Sequence, residues 1–262
     1  MGLMDGKRGI VFGVANDRSY ASFISKCLIA QGATCGFTYL PIGKMERRVG
    51  KAIEEMGVAN PWLVPCDAGK DEDLDATFKK WGEDHDGKID FVVHSIAFAD
   101  RAFLQVGNFH TTTRAAFTQA LDISAYTLLA MAQRAKPLME AAGGGSIVSM
   151  SYYGGEKVIP GYNVMGVAKA ALEHTTRYLA AELGEKNIRV NSISGGPLRT
   201  LASSAVGEID AMFDHQARKA PLKRNITGEE VGNTAVFLLS DFASAITGEV
   251  IYVDAGFNII GL

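Results

Sequence analysis

The stretch Ser151–Lys169, SYYGGEKVIPGYNVMGVAK, joins an apolar strand-like run, Gly145–Met150, to a long alanine-rich helical pattern ending near Leu183. Tyr152, Tyr162 and Lys169 within it are candidate catalytic groups. If Tyr162 lies in the first turn of that helix, Lys169 follows seven residues later. Seven steps of about 100° make roughly 700°, within about 20° of two full turns, so both side chains share a face. A phenol beside an ammonium is then expected to have a lowered pKa and to serve as a proton donor. Taken alone, this spacing more often marks a surface tyrosine and a solvated lysine on an ordinary helix, and it is the surrounding chain that favours the catalytic reading.

Outward from that stretch, short β-rich runs alternate with amphipathic ones. The strand candidates are Gly9–Gly13, Cys35–Leu40, Pro61–Pro65, Asp90–Ser95, Ser146–Ser151, Arg189–Ser194 and Val250–Val253. The helix candidates are Ser19–Gln31, Lys44–Met56, Asp71–His85, Thr113–Ala142, Gly161–Glu185 and Gly228–Asp241, with Pro137 expected to kink the long fourth one. Alternation of this kind implies right-handed βαβ units. The expected fold is a single-domain, doubly wound (Rossmann) α/β architecture over residues 1–262, a parallel sheet of about seven strands with helices on both faces. The stretch Gly195–Gly228 lacks clear periodicity and is long enough to be a lid or binding loop.

Composition narrows the function classes. With 47% hydrophobic residues the chain can bury a sizeable core, and a net charge of −3 argues against a nucleic-acid or anionic-membrane surface. Cys27, Cys35 and Cys66 are odd in number and lack Cys-x-x-Cys spacing, which suggests reduced thiols in a cytoplasmic protein. No apolar run approaches the roughly 18 residues of a membrane span. His85, His94, His110, His174 and His215 are scattered without metal-ligand spacing, so no metal is expected.

In a doubly wound sheet, ligands bind beyond the carboxyl ends of the strands where their order reverses. The first strand ends at Gly13, which would let the backbone approach a pyrophosphate, and Ser19 is a plausible N-cap for the helix that follows. This is no Gly-x-Gly-x-x-Gly fingerprint, and a plain capped turn is an equal alternative. The second strand ends at Leu40, without the acid that binds a ribose 2′-hydroxyl. Lys44, Arg47 and Arg48 follow and can meet a 2′-phosphate or simply face solvent, so the residues alone leave NAD and NADP open. Asp67, beside Ala68, can accept from an adenine amino group or cap the next helix. His94–Ala99 supplies small residues, Ser95 and Ile96 among them, on which a flat ring or ribose can lie.

Taken together, Gly13–Ser19, Asp67-Ala68, His94–Ala99, Tyr152, Tyr162–Lys169 and Gly196-Pro197-Leu198-Arg199-Thr200 resemble the short-chain dehydrogenase/reductase superfamily. More narrowly, the chain resembles bacterial enoyl-acyl carrier protein reductases over essentially its whole length. That resemblance implies NADH-dependent reduction of the 2,3 double bond of an enoyl thioester in fatty-acid synthesis, with acyl carrier protein as partner and a homotetrameric assembly. It implies cofactor contacts at Gly13, Ser19, Tyr20, Leu40, Asp67, Ala68, Ser95, Ile96, Lys169, Leu198, Thr200, Leu201 and Ala202. Substrate contacts are implied at Ala99, Tyr152, Tyr162 and Met165.

A spacing argument supports the narrower assignment. Ketone-reducing relatives carry Tyr-x3-Lys; counting back from Lys169, Met165 occupies that tyrosine position and Tyr152 stands where their serine falls. The phenol has moved back three residues, about 4.5 Å along a helix. In enoyl reduction hydride lands on the β-carbon and charge appears on the more distant thioester oxygen, so a more distant acid is needed. Tyr152 is then a second donor or a packing wall. Leu201, Ala202, Val206, Ile209, Met212 and Phe213 could line an acyl groove; the spacing of Val206, Ile209, Met212 and Phe213 equally suits the buried stripe of a short helix. The lid carries Glu208, Asp210 and Asp214, so Arg218, Lys219, Lys223 and Arg224 become the candidates for docking an acidic carrier. The alternatives are a ketone- or alcohol-specific oxidoreductase, or a non-catalytic dinucleotide-binding protein.

Overall fold

Strands buried on both faces need apolar residues at consecutive positions, and the short Val/Ile/Phe runs provide them. In the computed structural model, which describes residues 2–199 and 209–261, these runs form β1 (Arg8–Phe12), β2 (Thr34–Tyr39), β3 (Leu63–Pro65), β4 (Phe91–His94), β5 (Gly145–Ser151), β6 (Ile188–Gly195) and β7 (Val250–Val253). Among the described residues they make one sheet of seven strands, ordered β3-β2-β1-β4-β5-β6-β7, with every pairing parallel. The order reverses between β1 and β4, where Phe12 lies opposite His94.

Helices cover both faces. Val11, Val93, Val148 and Ile193 pack with α1 (Tyr20–Ala30), α2 (Met45–Glu54) and α8 (Gly228–Leu239). Their strand neighbours Ile10, Val92, Ile147 and Val190 point the other way, into α3 (Asp71–Asp84), α5 (Thr127–Ala142) and α6 (Val164–Leu183). The two faces are thus the two halves of the period-2 alternation. A third, smaller cluster of Leu104, Ala120, Val164, Met165 and Ala168 lies beside the mouth of the switch crevice and includes α4 (Arg114–Leu121).

Three expectations change. The helix expected over Thr113–Ala142 is broken by a π turn at Asp122–Tyr126, well before Pro137, which sits inside α5. At that turn the Thr127 hydroxyl donates to the Ile123 carbonyl at 2.7 Å, and Ser124 Oγ meets both the N–H and the carbonyl of Phe98, at 3.0 and 3.2 Å. These side-chain bonds, drawn by a loop distant in sequence, decide where the irregularity falls. The helix expected from Gly161 begins at Val164, because Gly161 (φ 78°) and Asn163 (φ 44°) have left-handed backbones. Within Gly195–Gly228, β6 runs on to Gly195 and a helix, α7 (Ile209–Lys219), follows. Strand and helix ends shift elsewhere by a residue or two; Gly13, at φ 103°, has left the strand that Phe12 closes.

Candidate active site

The crevice begins at Gly13. A Cβ there would stand 2.1 Å from the Ser95 carbonyl oxygen, so only glycine lets the ends of β1 and β4 run this close. Ser19 caps α1, accepting from Ser22 N–H at 3.2 Å and donating to the Asn16 carbonyl at 3.1 Å. The Tyr20 hydroxyl donates to the Gly196 carbonyl, tying the start of α1 to the end of β6. Leu40 is exposed just past β2, and Lys44, Arg47 and Arg48 are exposed beyond it. Asp67 is no helix cap: that position belongs to Lys70, while Asp67 accepts from Gly69 N–H at 3.1 Å and pairs with Lys70 at 3.4 Å. Ala68 is buried beside it, and Ser95 and Ile96 are half-buried past β4.

Asp67 also lines an open cleft of about 760 Å³, closed on the far side by Arg114, Gln119 and Ile123. These three residues belong to α4 and the π turn, and the sequence offered no sign of them, since the cleft brings together segments about fifty residues apart. A glycine-only turn, a capped helix amino terminus with its N–H donors, and an adjoining cleft with a carboxylate suit an adenine dinucleotide. Leu40 itself offers no carboxylate to a ribose hydroxyl.

The chemical end of the crevice is built where β5 passes into α6. The Tyr152 and Tyr162 rings meet edge to face, with centroids 4.8 Å apart. Room for the Tyr162 ring comes from Gly154, where a Cβ would fall 2.4 Å from Cδ1. Gly166 in turn admits the Gly154 carbonyl, 2.6 Å from where its own Cβ would be. The Tyr152 hydroxyl reaches the Met212 sulfur at 3.3 Å, which brings α7 over the site. Met165, in the ketone reducers' tyrosine position, is buried against Ser124 Oγ at 3.8 Å, and Ala99, Leu104 and Tyr162 pack in the same cluster.

Lys169 is buried, and its ammonium donates to the Met150 carbonyl at 2.6 Å. Burial lowers its pKa to about 8, against the pull of Glu173 one turn further along α6. Glu173 is itself raised by burial, and it accepts from the Ser151 hydroxyl at 2.6 Å. The expected lowering of the Tyr162 phenol does not occur. Burial raises it, and the neighbouring Tyr152, Tyr20 and Glu173 add to the rise, because each disfavours a further negative charge. Tyr152 is pushed up to about 12 by burial. Nor does Tyr162 occupy the helix; it lies in the turn before it, so the shared-face geometry does not apply.

His94 is fully buried at the end of β4, its Nε2 2.8 Å from Thr127 Oγ1. Since that hydroxyl donates to the Ile123 carbonyl, Nε2 carries the ring proton. Burial, and then the Lys169 charge, depress its pKa to about 3, so the ring stays neutral. Leu198 is half-buried beyond β6, and Arg199 pairs with Asp210 at 2.6 Å and covers the Phe213 ring at 4.8 Å. Thr200, Leu201, Ala202 and Val206 lie outside the described residues. The three cysteines are unpaired.

Among known proteins, the family model described as enoyl-(acyl carrier protein) reductase matches residues 13–258. The chain is 51% identical to the Nostoc protein named enoyl-[acyl-carrier-protein] reductase [NADH] FabI, covering 99% of both chains. Its fold matches the Bacillus cereus enoyl-acyl carrier protein reductase solved with NADP+ and indole naphthyridinone, with TM-score 0.95, 45% identity and full coverage of both chains. It equally matches the Anaplasma phagocytophilum reductase solved with NAD, with TM-score 0.93, 45% identity and coverage of 100% of this chain and 97% of that one. A parallel sheet with this switch crevice, a phenol set back from Met165 and likeness over the full length have one explanation: the chain belongs to the enoyl-acyl carrier protein reductase family.

Proposed function

We infer that this chain reduces the 2,3 double bond of trans-2-enoyl thioesters carried on acyl carrier protein, with NADH as reductant, in fatty-acid elongation. The observation that carries the catalytic assignment is the exchange beside α6: Met165 is buried in an apolar cluster, and Tyr162, in the turn before the helix, is half-buried against it. NADH, when bound, supplies the hydride that the β-carbon receives. Tyr162 hydrogen-bonds the thioester oxygen as negative charge gathers there, an oxyanion-type role. Its raised pKa keeps the hydroxyl proton in place for that bond. A proton on the α-carbon completes the saturated product.

Lys169 would hold the ribose hydroxyls with the ammonium protons that the Met150 carbonyl leaves free, and would supply positive charge there. Tyr152, edge-on to Tyr162 and bonded toward Met212, serves as a wall of the substrate pocket. Gly13, Ser19, Tyr20, Asp67, Ala68, Ser95, Ile96 and Leu198 line the dinucleotide's path, with Thr200, Leu201 and Ala202 assigned to it on resemblance alone. Ala99 and Met165 border the acyl end. The single-domain reading with a lid over about 195–228, a cytoplasmic location and a homotetramer belong to the same proposal. For carrier docking, Arg224 is forked onto Glu230 at 2.9 and 2.6 Å, which leaves Arg218, Lys219 and Lys223 as the stronger candidates.

The test is Tyr162→Phe. Losing one oxyanion donor lowers kcat on a short enoyl thioester by about 100- to 1000-fold, with the KM for NADH unchanged. Wild-type turnover in that variant, or faster turnover of a β-ketoacyl than of an enoyl thioester by the native protein, would overturn the assignment. Running the native assay with NADPH beside NADH decides the coenzyme.

A further inference from the structure

The turn that presents Tyr162 is held from outside by its neighbour Asn163. The Asn163 backbone lies at φ 44° and ψ −121°, a conformation open to glycine and rarely taken by other residues. Its side-chain amide donates to two carbonyls, those of Phe103 at 2.8 Å and Gln105 at 2.7 Å. Both belong to the segment between β4 and α4, where Asp100 caps the short turn Arg101–Phe103. Gly161 lies against the same segment, its absent Cβ 3.7 Å from the Leu104 carbonyl oxygen and from the Val106 side chain. Leu104 is buried in the cluster that holds Met165 and packs Tyr162 and Ala99.

On its other side the same turn is locked into α6. The Tyr162 carbonyl accepts from Met165 N–H at 3.0 Å, and the Asn163 carbonyl accepts from Gly166 N–H at 2.9 Å. A strained backbone persists only where its surroundings over-determine it, and such residues gather at functional sites. Glycine would take this backbone without strain. What asparagine adds is a pair of donors, and both are used on a segment about sixty residues away in sequence.

We propose that Asn163 is a positioning residue that clamps the 101–108 segment to the Tyr162 turn, fixing together the phenol and the Ala99–Leu104 wall against which the acyl thioester lies. The proposal rests on Tyr162 being the group that meets the thioester oxygen. Misplacement of a reacting group by about 1 Å costs up to about 100-fold in rate, and the clamp acts on both partners of that contact.

Asn163→Gly separates the clamp from the strain, since glycine keeps the backbone and lacks the donors. The expected result is a kcat on a short enoyl thioester lowered about 10- to 100-fold, with the KM for NADH within about twofold of wild type and an unchanged or higher melting temperature. Faster amide hydrogen exchange over 101–108 accompanies it. Asn163→Asp, which sets a carboxylate against two carbonyl oxygens, loses at least as much turnover. Wild-type kcat and thioester KM in Asn163→Gly would overturn the proposal, as would a loss of NADH affinity and melting temperature in step with the loss of rate. Tyr162→Phe, assayed in parallel, keeps the two ideas apart: if it retains activity the site assignment fails, whereas a dead Tyr162→Phe beside a normal Asn163→Gly sinks the clamp alone.

Discussion

Replacing Lys169 by methionine should destroy activity while leaving the cofactor-free protein as stable as before, or more so. Burial takes the ammonium from an ordinary 10.5 to about 8. That gap of roughly two and a half pH units corresponds to about 3 kcal/mol by which the fold disfavours the charged form. At pH 7 the lysine is protonated in both folded and unfolded chains, so the whole penalty applies. Between about 8 and 10.5 the unfolded chain holds the proton that the folded one has released, and stability therefore rises with pH across that window. Methionine keeps the length and removes the charge. Against the gain stands the Met150 carbonyl, which loses its 2.6 Å donor at about 1–3 kcal/mol; the attraction to Glu173 is already contained in the pKa of about 8. The balance is a variant between equal in stability and about 2 kcal/mol more stable at pH 7, a melting temperature up to about 6 °C higher. Urea denaturation of both proteins at pH 7 and 9.5 reads it, and wild type should regain about 2 kcal/mol relative to the variant at the higher pH. A variant destabilised by more than about 2 kcal/mol at pH 7, or a difference that ignores pH, would refute the reasoning.

Two glycines give further tests. Gly154→Ala places a Cβ 2.4 Å from the Tyr162 ring, so turnover should fall at least about tenfold while NADH still binds, as NADH fluorescence titration would register. Gly13→Ala meets the Ser95 carbonyl oxygen at 2.1 Å from a backbone at φ 103°. Cofactor affinity should drop more than about tenfold, and unfolding free energy by about 1–3 kcal/mol; calorimetric titration and urea curves measure the two.

The sheet was legible because its strands are buried on both faces and so read as unbroken apolar runs, Gly9–Phe12 and Phe91–Val93 being examples, with glycines and caps between them. Ser19 was legible as a cap for the same local reason. The π turn was not. Asp122–Tyr126 carries no helix breaker, and its irregularity depends on Ser124 meeting Phe98 and on Thr127 bonded to both Ile123 and His94, contacts that no window of sequence contains. Around Tyr162 the sequence does carry a signal: Gly161 marks a left-handed turn, and asparagine is among the few other residues that tolerate one. The lowered phenol failed for a different reason. Seven-residue spacing says nothing of desolvation: the ammonium donates to the Met150 carbonyl, and the buried phenol is hemmed in by groups of potential negative charge.

That correction changes what the phenol can do. A tyrosine with a lowered pKa would be a source of protons, and losing one would be part of the cycle. With the pKa raised, giving up the proton would leave a phenolate packed against Tyr152 and within the field of Glu173, the least favourable place for it. The same burial strengthens a hydrogen bond that the neutral hydroxyl donates, because little solvent competes for it and the local dielectric is low. On the proposed mechanism the neutral Tyr162 hydroxyl is therefore better suited to donating a hydrogen bond to the thioester oxygen than to giving up its proton. The set-back position favours the same role. A donor placed to reach the oxygen need not reach the carbon, and Met165, sealed under Leu104 and Ser124, offers no proton in its place.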